Sequence, residues 1–272
     1  MIPKIKLSNG KEIPQVGFGL WQVTDQTDFD NAFQAAVKSG YRHFDTAQIY
    51  GNEQMLGAAL AKSNLKREDV WITTKIAVNH FGHKKAKKSF EESLEKLQTN
   101  YVDLLLLHFP VTVLRKKSWL ALEEIKAAGQ AASIGVSNYT IRHLEEMKSY
   151  AHEMPAINQV ELHVFLQQPE LIEYCHQNNI AVEAYSPLAH AKAGADNPLL
   201  QELAKKHHKS FAQIMLRWLI QNGLIILPKS VTPKRIQENI NIFDFKLDKE
   251  DMQNLAKLNK NLRTCWSPVH VP

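Results

Sequence analysis

From residue 16 onward the sequence alternates short apolar runs with longer amphipathic stretches, and this alternation limits the fold more than any other feature. The apolar runs are VGFG, YRHFD, DVWITTKI, YVDLLLLHF, AASIGVS, AINQVELH, IAVEAYS and LIILPKS. Between them lie stretches of helical period, including DFDNAFQAAVKSG, NEQMLGAALAKS, KKAKKSFEESLEKLQ, KKSWLALEEIKAAG, TIRHLEEMKSY and PELIEYCHQNN. YVDLLLLHF is apolar at nearly every position, as a strand is when both its faces are buried. Short strands alternating with helices predict parallel βα units. Eight of them predict an α/β fold, a single (β/α)8 barrel. No Gly/Ser-rich linker or shift of composition divides the chain, so residues 1–272 read as one barrel domain.

Additions at both ends decorate this pattern. IKLSNGKEIPQ predicts an N-terminal β-hairpin, with Asn9-Gly10 as a two-residue turn. PLLQELAKKHH, SFAQIMLRWLIQNG, TPKRIQENI and KEDMQNLAKLN predict extra helices near the C-terminus. Gly40 reads as the close of the first helix. Asn52 reads as an N-cap with Glu53 in the first turn, Ser210 as a second cap, and Pro233 as a first helical residue.

Several function classes are disfavoured. The net charge is +5, but the densest basic cluster, Lys84, Lys85, Lys87 and Lys88, has no interleaved aromatics and reads as a solvated helix face. Nucleic acid is therefore not expected as a partner. No apolar run approaches the roughly 18 residues of a membrane span. MIPKIKLSNG has no apolar signal region. Cys175 and Cys265 make no disulfide framework, which suits a reducing cytoplasm. His80 and His83, and the neighbours His207 and His208, have ligand-like spacing, but the first pair lies in a loop with no carboxylate or cysteine placed to complete a site, and HHK follows an amphipathic helix and reads as solvated. No metal is expected.

In a barrel of this kind, chemistry gathers at the C-terminal ends of the strands. Reading along those ends gives Asp45, Lys75, His108, Ser137, Asn138, Gln159, Tyr185 and Ser186, with Lys229 and Ser230 after the last strand. Tyr50 follows Asp45 by five positions. A tyrosine is a poor acid near neutral pH. An adjacent ammonium favours the phenolate, and a buried ammonium needs an anion in its turn. Tyr50, Lys75 and Asp45 together predict a tuned general acid, with His108 to orient a carbonyl oxygen. That is the chemistry of carbonyl reduction. No G-x-G-x-x-G follows a strand, so a Rossmann site is not indicated. Loops after the seventh and eighth barrel strands commonly bind phosphate. LPKSVTPKRIQENI occupies that place and offers Lys229, Ser230 and Arg235 around a helix start.

The sequence resembles the aldo-keto reductases over nearly its whole length. The matching stretches are VGFGLWQV, YRHFDTAQIYGNE, WITTKI, SLEKLQTNYVDLLLLHFP, IGVSN, INQVELH, AYSPL and LPKSVTPKRIQENI. The resemblance implies that Asp45, Tyr50, Lys75 and His108 form a catalytic tetrad with Tyr50 as proton donor. It implies NADPH as cofactor, with the 2′-phosphate on Lys229, Ser230 and Arg235. Glu238 and Asn239 would meet the adenine, and Leu188 would line the pyrophosphate path. Ser137, Asn138 and Gln159 would hold the nicotinamide carboxamide. Tyr185, followed by Ser186, would stack on its ring. Trp21 and Phe109 would wall the substrate pocket.

Three features depart from the family pattern. Phe109 stands where tryptophan is common, and Ala189 stands where glycine follows Ser-Pro-Leu. The loop HAKAGADNP is this chain's own. The short segment after Trp266 resembles the short bacterial 2,5-diketogluconate reductases and implies an open pocket with a broad substrate range, while the family resemblance implies a monomer. Its substrates would be small carbonyls, either keto-sugar acids or reactive aldehydes such as methylglyoxal. The alternative within the same fold is a non-catalytic NADPH-binding regulatory or structural barrel.

Overall fold

The computed structural model describes residues 2–190 and 192–272. Met1 and Ala191 of the HAKAGADNP loop lie outside the described residues, as do the side chains of Lys192 and Ala193. The hairpin is β1 (Lys4–Lys6) and β2 (Glu12–Pro14). The barrel strands are β3 (Phe18–Gly19), β4 (His43–Asp45), β5 (Trp71–Ile76), β6 (Val102–Leu107), β7 (Ala131–Ser137), β8 (Ile157–Glu161), β9 (Ala181–Tyr185) and β10 (Ile225–Leu227). Among the described residues these eight form one parallel sheet in sequence order. A parallel bridge from Val16 to Ile226 joins its two ends. Main-chain bonds from Gly17 to Ile226 at 2.9 Å and from Gly19 to Pro228 at 3.2 Å extend that seam.

Each connection carries a helix: α1 (Gln26–Lys38), α2 (Glu53–Lys62), α3 (His83–Leu97), α4 (Arg115–Ala127), α5 (Ile141–Met147) and α6 (Pro169–Gln177). Three lie between β9 and β10: α7 (Lys192–Ala195), α8 (Pro198–His207) and α9 (Phe211–Gln221). Two follow β10: α10 (Pro233–Ile240) and α11 (Lys249–Ala256). The helix ends follow local chemistry. Past α1, Gly40 has φ +99°, Gly40 N–H donates to Val37, and Tyr41 N–H donates to Ala36, a Schellman close. Ser210 and Gln213 form a capping box on α9, and Pro233 opens α10.

Two local readings need correction. The hairpin loop has three residues, not two. Gly10 N–H donates to Leu7 at 2.9 Å, and Gly10 itself takes φ +82° before Leu7 pairs with Lys11. Glycine's freedom at positive φ is thus spent on a bulge after the turn rather than inside it. Asn52 precedes α2 but makes no side-chain capping bond. Its amide donates instead to the Leu20 and Val23 carbonyls at 2.8 and 3.0 Å. Glu53 does stand in the first turn of α2, where it is buried and accepts from Thr74 at 2.6 Å.

Alternation along the strands sorts the barrel into layers. Leu104 and Leu106 join Ile157 and Ile225 in an inner cluster with Leu7 and Ile13 of the hairpin. Leu105 and Leu107 belong to the outer core under the helices. Both faces of β6 are therefore apolar for different reasons, and the hairpin plugs the N-terminal end of the barrel. Above this plug the interior turns polar with His43, Asp45, Thr73, Lys75, Gln159 and Glu183, all buried. Gly17 makes room for that layer, because a Cβ there would stand 2.5 Å from the His43 ring.

Candidate active site

The loop from β4 to α2 carries Tyr50. It turns through a 3-10 segment, Gln48–Tyr50, and closes on Gly51 at φ +70°. Gln48 pins this segment. Its amide N–H groups donate to Ser89 O and Ser93 Oγ, both at 3.0 Å, and its oxygen accepts from Ala77 N–H at 2.8 Å. Asn52 ties the other side to the β3 loop, and Thr46 donates to it at 2.6 Å. The phenol thus stands on a loop fixed from two directions, held above the ends of β4 and β5.

Lys75 is fully buried, and its Nζ uses all three protons. It donates to Asp45 Oδ1 at 2.7 Å, to Thr46 O at 2.9 Å and to the Tyr50 hydroxyl oxygen at 3.3 Å. Burial works against its charge, but Asp45 and Tyr50 outweigh that and hold the ammonium above its ordinary range. Burial lifts the Asp45 carboxyl above the usual carboxylate range, against the pull of Lys75.

Tyr50 departs from the sequence expectation. Lys75 pulls the phenol down, as expected, yet desolvation outweighs it and pushes the group up to about 12. At neutral pH Tyr50 therefore keeps its proton. Because Lys75 already donates to the phenol oxygen, the O–H is left to point elsewhere. It has no acceptor among the described residues.

His108 follows β6, and its ring meets Tyr50 edge-on at 5.6 Å between centroids. Burial first, then the charge of Lys75, push it down to about 3, so it is a neutral imidazole with one N–H to donate. Its buried Nδ1 has no partner among the described residues.

Asp45, Tyr50, Lys75 and His108 thus come together over one mouth. Ser137, Asn138, Gln159 and Tyr185 meet beside them. Ser137 Oγ donates to Gln159 O at 2.9 Å, Asn138 Nδ2 donates to His108 O at 3.1 Å, and Tyr185 OH donates to Asn138 Oδ1 at 2.7 Å. Asn138 takes φ +66° to reach this position, and Ser186 takes φ +49° just after Tyr185. Ala189 holds φ +48°, so the backbone keeps a glycine-like conformation there without the glycine. Leu188 is half-buried in the same loop.

The basic segment after β10 is open. Lys229 and Arg235 are exposed, and neither forms an ion pair among the described residues. Thr232, the N-cap of α10, makes no side-chain capping bond, so first-turn amides are free for an anion. Two unpaired cations beside an uncapped helix start fit a phosphate-bearing cofactor. Ser230 and Glu238 are half-buried, while Asn239 lies buried behind them.

Trp21 and Phe109 flank the mouth region at the ends of β3 and β6. Trp21 is 43% exposed and meets His190 edge-on, while Phe109 is half-buried. The exposed large apolar side chains lie on loops after the strands or in the C-terminal segment: Trp21, Ile49, Val78, Val113, Leu114 and Trp266 among them. That segment does not trail free. Glu161 at the end of β8 accepts from Thr264 N–H at 2.6 Å, from Thr264 Oγ1 at 2.7 Å and from Cys265 N–H at 3.2 Å.

The histidine pairs go elsewhere. His80 bonds Gln48, His83 bonds Glu124, and His207 bonds Asp251. Both cysteines are free, and burial pushes the Cys175 thiol up to about 12.

Glu183 and His43 were not singled out from sequence, though a signal was present: an acid or histidine inside a strand buried on both faces. His43 is fully buried and pushed down to about 3, first by desolvation. Glu183 is fully buried and pushed up to about 8 by burial and then by the negative charge of Asp45. An unfolded glutamate ionises near 4.5, whereas the folded one holds its proton until about 8. The stability it contributes is therefore complete below 4.5 and is lost as pH rises toward 8. Glu183→Gln has no proton to hold. Relative to wild type it should gain on the order of 1 kcal/mol per pH unit across that window. Denaturant unfolding at pH 5, 6.5 and 8 reads this directly, and a difference that stays constant with pH contradicts it.

The profile of the Aldo/keto reductase family matches residues 15–260. Glyoxal reductase of Bacillus subtilis is 42% identical over 264 residues, covering 97% of this chain and 95% of that protein. Methylglyoxal reductase DkgA of Escherichia coli is 40% identical over 262 residues, covering 95% of this chain and 94% of that protein. The solved structure of a Bombyx mori aldo-keto reductase in complex with NADP superposes with a TM-score of 0.90 at 34% identity. It covers 97% of this chain and 94% of that one.

Proposed function

We propose that this chain, which belongs to the aldo/keto reductase family and is an NADP(H)-dependent oxidoreductase, reduces small reactive aldehydes of the α-oxoaldehyde type, with Tyr50 as proton donor. The observation that carries this reading is the Tyr50 hydroxyl. It is protonated at neutral pH, it receives a hydrogen bond from a buried ammonium, and its own O–H is free at the barrel mouth.

When bound, NADPH supplies a hydride to the carbonyl carbon. The rest falls to this chain. His108, held neutral, donates its N–H to the carbonyl oxygen and fixes its direction. Tyr50 gives up its proton as negative charge gathers on that oxygen. The alkoxide that would otherwise form is a far stronger base than even a raised phenolate, so the transfer runs downhill. Lys75 then stabilises the tyrosinate, and Asp45 keeps Lys75 charged. Ser137, Asn138, Gln159 and Tyr185 are the groups for the nicotinamide end. Ser186 and Leu188 line the path toward Lys229, Ser230 and Arg235, with Glu238 and Asn239 beyond for the adenine.

Substrate choice follows from the rim. Exposed side chains around the mouth such as Trp21, Ile49 and Val113 are apolar. That favours a compact aldehyde over a keto-sugar acid, whose carboxylate asks for a cation. The names of the bacillar and enterobacterial relatives point the same way. NADPH oxidation against a panel of methylglyoxal, glyoxal, glyceraldehyde, an aldose and 2,5-diketogluconate tests the order. The two oxoaldehydes are expected to lead in kcat/KM. A lead by 2,5-diketogluconate contradicts the substrate assignment, and no reduction at all supports a non-catalytic NADPH-binding barrel.

Arg235→Ala should weaken NADPH by roughly 10- to 100-fold, the range for a lost charge-assisted hydrogen bond. NADH, which lacks the 2′-phosphate, should be nearly unaffected. Equal losses for the two cofactors would remove Arg235 from the 2′-phosphate site.

A further inference from the structure

Beneath the mouth, one amide is shared by two carboxyl groups. Gln159 Nε2 donates to Asp45 Oδ2 at 2.8 Å and to Glu183 Oε2 at 2.7 Å. Asp45, the carboxylate partner of Lys75, can only accept, which fixes that end of the amide as NH2, and Glu183 takes the second N–H on a carboxyl oxygen. Both NH2 protons are then spent, and the Gln159 side-chain oxygen has no partner among the described residues. Asp45 has an evident task, the charge of Lys75. Glu183 has none of that kind. It is fully buried on β9, Lys75 turns to Asp45 instead, and His43 Nε2 stands 3.6 Å away, bonded to Thr73 at 3.1 Å. Glu183 Oε1 has no partner among the described residues. The one hydrogen bond this costly acid makes is to Gln159.

We infer that Glu183 is a positioning residue for the cofactor: by taking the second N–H of Gln159 it locks that amide with its carbonyl oxygen free to accept from the nicotinamide carboxamide. Without Glu183, the Gln159 NH2 keeps an unpaired proton in a dry site and is held by Asp45 alone, so the amide is free to pivot about that one bond and carry its oxygen away from the carboxamide. The inference rests on the reading above that places the carboxamide at Gln159, and it concerns a residue outside the tetrad.

The test uses binding, so it does not depend on turnover. Dissociation constants are measured by protein fluorescence for NADPH, for its 3-acetylpyridine analogue and for adenosine 2′,5′-bisphosphate. The analogue has a methyl group in place of the carboxamide NH2, and the bisphosphate lacks the nicotinamide altogether. Wild type should prefer NADPH over the analogue. Glu183→Leu should weaken NADPH by about fivefold, the typical worth of one neutral hydrogen bond. It should leave the analogue and the bisphosphate unchanged. Glu183→Gln, which still presents an oxygen to Gln159, should bind NADPH like wild type.

If wild type does not distinguish NADPH from the analogue, the carboxamide is not read at Gln159 and both readings fall. If wild type does distinguish them and Glu183→Leu keeps that preference, the role of Glu183 alone is overturned. Equal weakening of all three ligands, or a Gln variant as poor as the Leu variant, overturns it as well. Should Glu183→Leu not fold, Glu183→Asp carries the same test, because it withdraws the acceptor by one methylene. It should lose NADPH affinity selectively, and unchanged affinity contradicts the inference.

Discussion

Tyr50→Phe should lower turnover by on the order of 10²–10⁴, the usual contribution of a positioned general acid, and leave the NADPH dissociation constant unchanged. The substitution removes one oxygen and nothing else. That oxygen accepts a 3.3 Å bond from Lys75 and makes no other hydrogen bond among the described residues, so the loss to the fold is small. The Tyr50 loop is held instead by Gln48 and Asn52, which the substitution does not touch. Phenylalanine should keep the edge-on packing against His108. A large fall in kcat with intact cofactor binding therefore isolates the proton. Steady-state kinetics with methylglyoxal, beside a fluorescence titration of NADPH, separates the two quantities. Turnover within a few-fold of wild type would remove Tyr50 from the proton-donor role.

Lys75→Met should lose both activity and stability. Its ammonium is the partner of three groups at once: Asp45, Thr46 O and Tyr50. Methionine fills similar space but leaves Asp45, itself 3% exposed, buried without its cation. Breaking one side of a buried ion pair typically costs about 3–5 kcal/mol. Asp45, already lifted by burial, would rise further and take up a proton, because the charge opposing that rise is gone. Tyr50 would likewise lose the one nearby charge that pulls its phenol down. The double variant Lys75→Met with Asp45→Leu distinguishes the two losses. Replacing the whole pair by apolar groups should restore much of the stability and none of the activity. Denaturant midpoints and kcat on the single and double variants read this out. A stable, active Lys75→Met protein contradicts the account.

The barrel was legible because its strands are buried on both faces. YVDLLLLHF announces itself, with Leu104 and Leu106 turned to the inner cluster and Leu105 and Leu107 to the helices. Tyr50, Lys75 and Asp45 were legible as a group because their strand-end positions follow from the βα alternation. What lay hidden is whatever depends on side chains meeting across the barrel. Gln48 pins the Tyr50 loop from 41 residues away, at Ser89 O, and nothing in QIYGNE signals that. Asn52 looks like a cap by residue type and position, but two open carbonyls of the β3 loop compete for its amide and win. The phenol's proton affinity was misjudged for a similar reason. A charge partner can be guessed from sequence, but the degree of desolvation that opposes it depends on the whole surrounding shell. Glu183 and His43 were readable in part, since titratable groups within doubly buried strands always require an explanation.

The most direct test of the central claim is deuteride transfer. NADPH carrying deuterium at the transferred C4 position is mixed with methylglyoxal and enzyme, and the product is examined by mass spectrometry and NMR. The account predicts one deuterium on the new carbinol carbon with the wild-type protein, and a product yield reduced by on the order of 10²–10⁴ with Tyr50→Phe at equal cofactor occupancy. Oxidation of NADPH without deuterium in an alcohol product, or equal yield from the two proteins, would contradict it.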